Sequence, residues 1–215
     1  LIGVIHLPPD VAGRQMIALA APLLVVPFLA ATLTRWLSPA VLSAAGLLIT
    51  AGGLSYAGSI LASGTDNGMA LAMVIIGTGI GLPWGLMDAL AVSVVSPERA
   101  GMATGIFNCV RVSADGIAIA LVGALLAALL NHSLASALPA TTPDVLQAAA
   151  SHLALGELAS AAALLQVKSS LLASLYLTRL STVMYVLSAG SVLTAIIIFL
   201  LLSQRNNPPS FPRGR

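Results

Sequence analysis

The chain carries very little charge. Asp, Glu, Lys and Arg make up only 7% of its 215 residues, against roughly 25% in a soluble domain, so it lacks the polar surface that a water-exposed globule needs. Nine Lys and Arg stand against seven Asp and Glu. The basic residues are scattered, which excludes the clustered cationic face of a nucleic-acid-binding protein. Cysteine is almost absent. Cys109 is the single one, so no intramolecular disulfide or CxxC zinc site can form, and within its apolar run it reads as a small packing residue. His6, His132 and His152 are dispersed, without Cys or carboxylate neighbours at ligand spacing, so no metal or cofactor is expected. HExxH, GxSxG and GxxxxGK[ST] are missing, which leaves metalloprotease, serine-hydrolase and P-loop ATPase readings without local support; the chain is not read as an enzyme. The opening LIGVIHLPPD lacks an initiating methionine and the charged start and cleavage site of a signal peptide, so the sequence reads as a fragment.

What is present is apolar: 58% of residues are hydrophobic and the mean hydropathy is +1.01. Apolar runs of about 20 residues recur between charges or Pro/Asn/Asp clusters, the length that a hydrocarbon core of ~30 Å demands of a helix. Four such spans are expected within residues 1–131, at about 14–33, 39–62, 69–95 and 102–130, and a fifth at 181–202. Helix is the only reasonable form for them, because a backbone polar group left unpaired in lipid is strongly penalised, and β-barrel alternation is absent. The expected fold is therefore an all-α membrane protein of about five transmembrane helices. Residues 132–180 read as an aqueous loop holding one or two amphipathic helices, one of them starting near Thr142-Pro143-Asp144. The polar, Pro-rich residues 203–215 read as a disordered tail.

Cytoplasmic loops are enriched in Lys and Arg. With the tail inside, Arg35, Arg99, Arg205, Arg213 and Arg215 are cytoplasmic, while Arg14, Lys168 and Arg179 are external and Arg111 lies in the membrane. This balance favours a cytoplasmic C-terminus and places the 132–180 loop outside.

Ionisable residues at bilayer depth cost at least ~2.5–3.5 kcal/mol each and mark function by default. Three fall within the spans: Asp88, Arg111 and Asp115. Arg111 and Asp115 are one helical turn apart and Asn108 is one turn before Arg111, so all three share a face. Two readings of the pair stand side by side. The charges can neutralise each other as a structural ion pair, or Asp115, beside Arg111, can exchange a proton. The third span contains GTGIGLPWGLMDAL, in which Gly77, Gly81 and Gly85 form a small-residue stripe leading to Asp88. Such a stripe lets another helix approach closely. Pro83 removes an amide donor, which kinks the helix or frees the carbonyl near Gly79, and bent helices beside acidic residues are common at transport sites. Trp84, one turn before Asp88, reads as an interface anchor or a cavity wall. Gly101 and Gly105 read as a helix interface.

The stretch SPERAGMATGIFNCVRVSADGIAIALVGALL, residues 96–126, resembles part of the fourteen-helix drug:proton antiporter branch of the major facilitator superfamily. The resemblance rests on Pro97 in a short loop, Gly101 and Gly105 at the helix start, Asn108, Arg111, and the small residues Ala114, Gly116 and Ala118. It extends more loosely over residues 1–131. The loop between the first two spans departs from the family pattern, keeping Arg35 but not the usual run of Gly, Asp and Arg, and where the family usually has glycines along the helix after the Arg this chain has Ala114 and Ala118, with Asp115 between them.

The resemblance implies a partial major facilitator bundle: the C-terminal part of a proton-coupled secondary transporter exporting small organic compounds, in a bacterial inner membrane. Asp88 and Asp115 are then candidate proton carriers. Arg111 tunes Asp115 or orients substrate, Asn108 is a polar contact and Trp84 a cavity wall. The implied partners are the missing N-terminal half, a small-molecule substrate, the proton and membrane lipid, with no nucleic acid. The alternative is a truncated or split membrane protein that does not transport and acts as an assembly partner.

Overall fold

A computed structural model describes residues 8–64, 68–93, 96 and 99–205. Seven helices occur among them and no strand. They are α1 (Pro9–Leu33), α2 (Pro39–Ser63), α3 (Met69–Ser93), α4 (Ala100–Ala137), α5 (Pro143–Ala154), α6 (Leu158–Leu165) and α7 (Ser169–Arg205). Of these, α1, α2, α3, α4 and α7 are long and apolar enough to cross a membrane. The protein is an all-α integral membrane protein.

Local sequence accounts for several helix ends. Pro9, Pro39 and Pro143 occupy first turns, where the missing amide is no loss. Ser38 caps α2 by accepting from the Val41 amide at 3.4 Å, and α2 stops at Gly64, whose φ of +65° suits a residue without a Cβ. Asp10 in the first turn of α1 pairs with Arg14 at 2.9 Å.

The spans pack in the order α1, α3, α2, α7, each against the next. With no hydrophobic effect between helices in lipid, close approach of backbones has to supply the attraction, and glycine makes it possible here. Along Gly77, Gly81 and Gly85, α3 lies on α1. An added Cβ would strike the Leu19 carbonyl oxygen at Gly77, meet Val26 Cβ at 2.9 Å at Gly81, and meet Pro27 Cβ at 3.0 Å at Gly85. On its α2 side, α3 uses Gly79. The Gly79 carbonyl, which has no amide to serve at Pro83, lies against Gly46, where a Cβ would stand 2.6 Å from that oxygen and 2.7 Å from Pro83 Cδ. Gly53 of α2 is pressed equally closely against Ile76. Hydroxyls join α2 to α7: Ser181 donates to the Gly58 carbonyl at 2.7 Å, Ser188 donates to the Ala51 carbonyl at 2.7 Å, and the Ser188 and Ser55 hydroxyls lie 2.8 Å apart.

The region after the fourth span departs from the expectation of an aqueous loop. The fourth helix does not end near Leu130 but runs to Ala137, and the last helix begins at Ser169 rather than near Ser181. Residues 132–137 and 169–180 are therefore helical, and two short helices lie between them, within the one or two expected. At about 1.5 Å per residue, the 38 residues of α4 and the 37 of α7 are about 57 and 55 Å long, well beyond the ~30 Å of a hydrocarbon core. The surplus is bound into a compact lobe. Leu126, Leu130 and Leu134 of α4 meet Leu146, Ala149 and Leu153 of α5, Leu158 and Ala161 of α6, and Leu172, Tyr176 and Val183 of α7 in one buried cluster. That shared core is why the helices continue. Leu130, Leu134, Leu153 and Leu172 are fully buried by it, whereas a loop would have left them in water. At the far end of the chain, residues 203–205 complete α7, and the expected disordered segment beyond them lies outside the described residues. The expected third span reached residue 95; residues 94 and 95 are also outside them.

Candidate functional site: the cleft between the third and fourth helices

The N-terminal half of α4 is held by one narrow stripe. Between Gly101 and Leu121 only Ala103, Phe107 and Arg111 are partly buried, at four-residue spacing, and every other residue is exposed. This face turns toward α3. Between the two helices opens a cleft of about 280 Å³, lined by Ile80, Pro83 and Trp84 of α3 and by Phe107, Arg111, Val112 and Asp115 of α4. Its character follows from helical register. Residues 80, 83 and 84 share one side of α3, and residues 107, 111 and 115 share one side of α4.

The guanidinium carbon of Arg111 lies 5.3 Å from the centre of the Trp84 ring. This is a cation–π contact, worth about 0.5–1 kcal/mol where the ring is exposed, as Trp84 is here. No Arg111–Asp115 ion pair is present among the described residues, although the two are one turn apart. Asp115 is exposed at the cleft and Arg111 is half-buried. The cleft thus combines an aromatic floor, one positive and one negative group, and apolar walls.

The residues expected from sequence distribute as follows. Trp84, Arg111 and Asp115 come together, with Trp84 as a cleft wall and Pro83 beside it. Asn108 shares the helix but is exposed and lies outside the lining. Asp88 falls within α3, and its side chain is outside the described residues; Pro97 is outside them as well. Gly77, Gly81 and Gly85 are packing residues against α1. Gly101 and Gly105, expected at a helix interface, have nothing within 4 Å among the described residues, and the same holds for Gly116 and Gly123 farther along α4. Among the described residues, α4 meets α3 through 103, 107 and 111 instead.

Phe107 was not among the expected site residues. It forms a wall of the cleft, and its signal in the sequence is its position one turn before Arg111. Gly46, Gly53 and Gly79 were also missed as contact residues. They are separated by irregular distances along the chain and become neighbours only when α2 and α3 pair. Among the described residues no group of three or more His, Cys, Asp or Glu side chains is placed to hold a metal ion. Comparison of the chain with protein-family models, curated proteins and solved structures finds no match.

Proposed function

We propose that this chain is the C-terminal part of a proton-coupled secondary transporter that exports small organic compounds, of the drug:proton antiporter branch of the major facilitator superfamily. The observation that carries the reading is the α3/α4 cleft, where Trp84, Arg111 and Asp115 line one apolar-walled space within two apolar spans. Charged groups at such depth are expensive unless they serve a substrate or ion path. The helix bearing Arg111 and Asp115 is also the one that carries the family resemblance, with Asn108 as a further polar contact. In this reading Asp88 and Asp115 are the proton carriers and Arg111 orients substrate or sets the protonation of Asp115. The N-terminal half of the transporter covers the open face of α4. The membrane is a bacterial inner membrane, with the C-terminus in the cytoplasm and the α5–α6 lobe outside.

A second reading is favoured by one observation. Gly101, Gly105, Gly116 and Gly123 on α4, which meet nothing within 4 Å among the described residues, suit a membrane protein whose role is to bind another helix, without transport of its own. Dye efflux from cells carrying the full-length gene, driven by an imposed pH gradient, separates the two. Asp88→Asn or Asp115→Asn is expected to abolish gradient-driven efflux while the protein still reaches the membrane, and Arg111→Ala to reduce it. Unchanged efflux in all three variants would refute the transport role of these charges.

A further inference from the structure

We infer that the Arg179 guanidinium binds the phosphate of a phospholipid headgroup in the leaflet that faces the α5–α6 lobe.

The depth of Arg179 follows from the packing of α7 on α2. Ser181 donates to the Gly58 carbonyl at 2.7 Å, so the two positions are level. The stretch of α2 from its start at Pro39 to Gly58 is about 29 Å long at about 1.5 Å per residue, which matches the ~30 Å of a hydrocarbon core. Arg179, about 3 Å farther along α7 at the same rise, therefore stands where the headgroup layer begins. Two other landmarks agree. Leu177 and Leu180, on either side of Arg179, pack against Ala57, Ile60, Leu61 and Met69, at the end of the bundle where α2 stops and α3 starts. The tyrosines of the chain, Tyr56, Tyr176 and Tyr185, all lie near this level, and Tyr56 and Tyr185 are exposed, as in the aromatic belt that marks a membrane–water boundary.

The charge of Arg179 is not matched from within the protein. The residue is partly buried, and its Nε is enclosed without a hydrogen-bond acceptor among the described residues. The ion pairs found among them join Asp10 to Arg14 and His152 to Glu157, and none involves Arg179. A guanidinium cannot lose its proton to escape this cost, so its stem lies along apolar surface while the charged end seeks an anion at the interface. Every phospholipid brings a phosphate to this depth. The planar fork of an arginine fits two phosphate oxygens at once, with charge-assisted bonds roughly twice as strong as neutral ones.

The test uses the 215-residue chain purified in a maltoside detergent and titrated with dioleoylphosphatidylglycerol, with dioleoylglycerol, which has the same chains and no phosphate, and with inorganic phosphate. Binding is read by native mass spectrometry and stability by thermal unfolding. Arg179→Met keeps a long stem in the same place and carries no charge. The wild type is expected to bind its first dioleoylphosphatidylglycerol about tenfold more tightly than Arg179→Met, the least that a hydrogen bond to a charged group produces. Arg179→Lys, a point charge without the fork, should fall between them, and dioleoylglycerol should bind all three alike. Without phospholipid, Arg179→Met should unfold no earlier than the wild type, because it removes a buried nitrogen that lacks an acceptor; dioleoylphosphatidylglycerol should then raise the wild type more than the variant. Earlier unfolding of Arg179→Met in lipid-free detergent would overturn the inference in favour of a structural role. Equal phospholipid affinity of wild type and Arg179→Met would overturn it and leave the guanidinium to an acidic group of another protein. Inorganic phosphate protecting the wild type as well as the phospholipid does, at equal concentration, would assign the site to a free anion instead of a headgroup.

Discussion

Glycine-to-alanine substitutions at two places on this protein are the same chemical change with opposite expected outcomes. At Gly79 the new Cβ would collide with the Thr50 hydroxyl and stand 2.5 Å from the Thr50 amide nitrogen and 2.6 Å from the Gly46 carbonyl oxygen. Two of these are backbone or backbone-anchored atoms, and Thr50 is itself tied by a 3.0 Å hydrogen bond to the Gly46 carbonyl. Relief therefore requires α2 and α3 to move apart, and overpacking of this kind costs about 1–3 kcal/mol. At Gly105 a Cβ meets nothing within 4 Å among the described residues. Both variants gain the same helix propensity, up to about 1 kcal/mol, so the difference between them isolates the clash. Gly79→Ala is expected to unfold about 1–3 kcal/mol earlier than Gly105→Ala, read by thermal or denaturant unfolding of the purified chain in one detergent. Gly105→Ala itself should be neutral or slightly stabilising. Equal stability of the two variants would refute the claim that Gly79 is required by close helix approach. A second arm concerns the full-length gene product. If a further half covers α4 there, Gly105→Ala should weaken assembly in that context while remaining harmless in the 215-residue chain.

Two further substitutions probe other contacts. Ser188→Ala removes the hydroxyl that donates to the Ala51 carbonyl and lies 2.8 Å from Ser55; a loss of about 0.6 kcal/mol is expected, the average for interhelical hydrogen bonds in membranes, and a double-mutant cycle with Ser55→Ala should show coupling between the two serines. Independence of the two would show that their contact is incidental. Leu153→Ala empties a fully buried position of the lobe core and should cost about 2–5 kcal/mol, seen as faster amide hydrogen exchange in α5 and α6 with α1 to α3 unchanged. Unaltered exchange in α5 and α6 would mean that the lobe is not held by that core.

Much of this architecture is written in one-dimensional pattern. A helix satisfies its own backbone, so apolar length alone is enough to specify a span, and the starts of α2 and α3 at residues 39 and 69 follow from sequence because Ser38, Pro39 and the break after Gly64 are local signals. The Gly77–Gly81–Gly85 stripe is legible for the same reason, since four-residue spacing puts its members on one face whatever lies opposite. So is the grouping of Arg111 and Asp115 on one side of α4.

Tertiary structure decided the rest. The sequence pattern could not say that Arg111 turns to Trp84 rather than Asp115, because that choice depends on α3 lying beside α4. It could not distinguish the packed Gly79 from the open Gly105: each is a glycine in an apolar helix, and only the neighbouring helix determines whether a Cβ has room. The extension of α4 and α7 beyond the bilayer was likewise hidden. Residues 132–137 and 169–180 interrupt their apolar runs with His132, Arg179 and several Ser and Thr but carry no stop signal of their own, and they remain helical because Leu134, Leu153 and Leu172, far apart along the chain, share one core. Sequence determines structure here where the physics is local to one helix; where it depends on which surfaces meet, the packed protein decides.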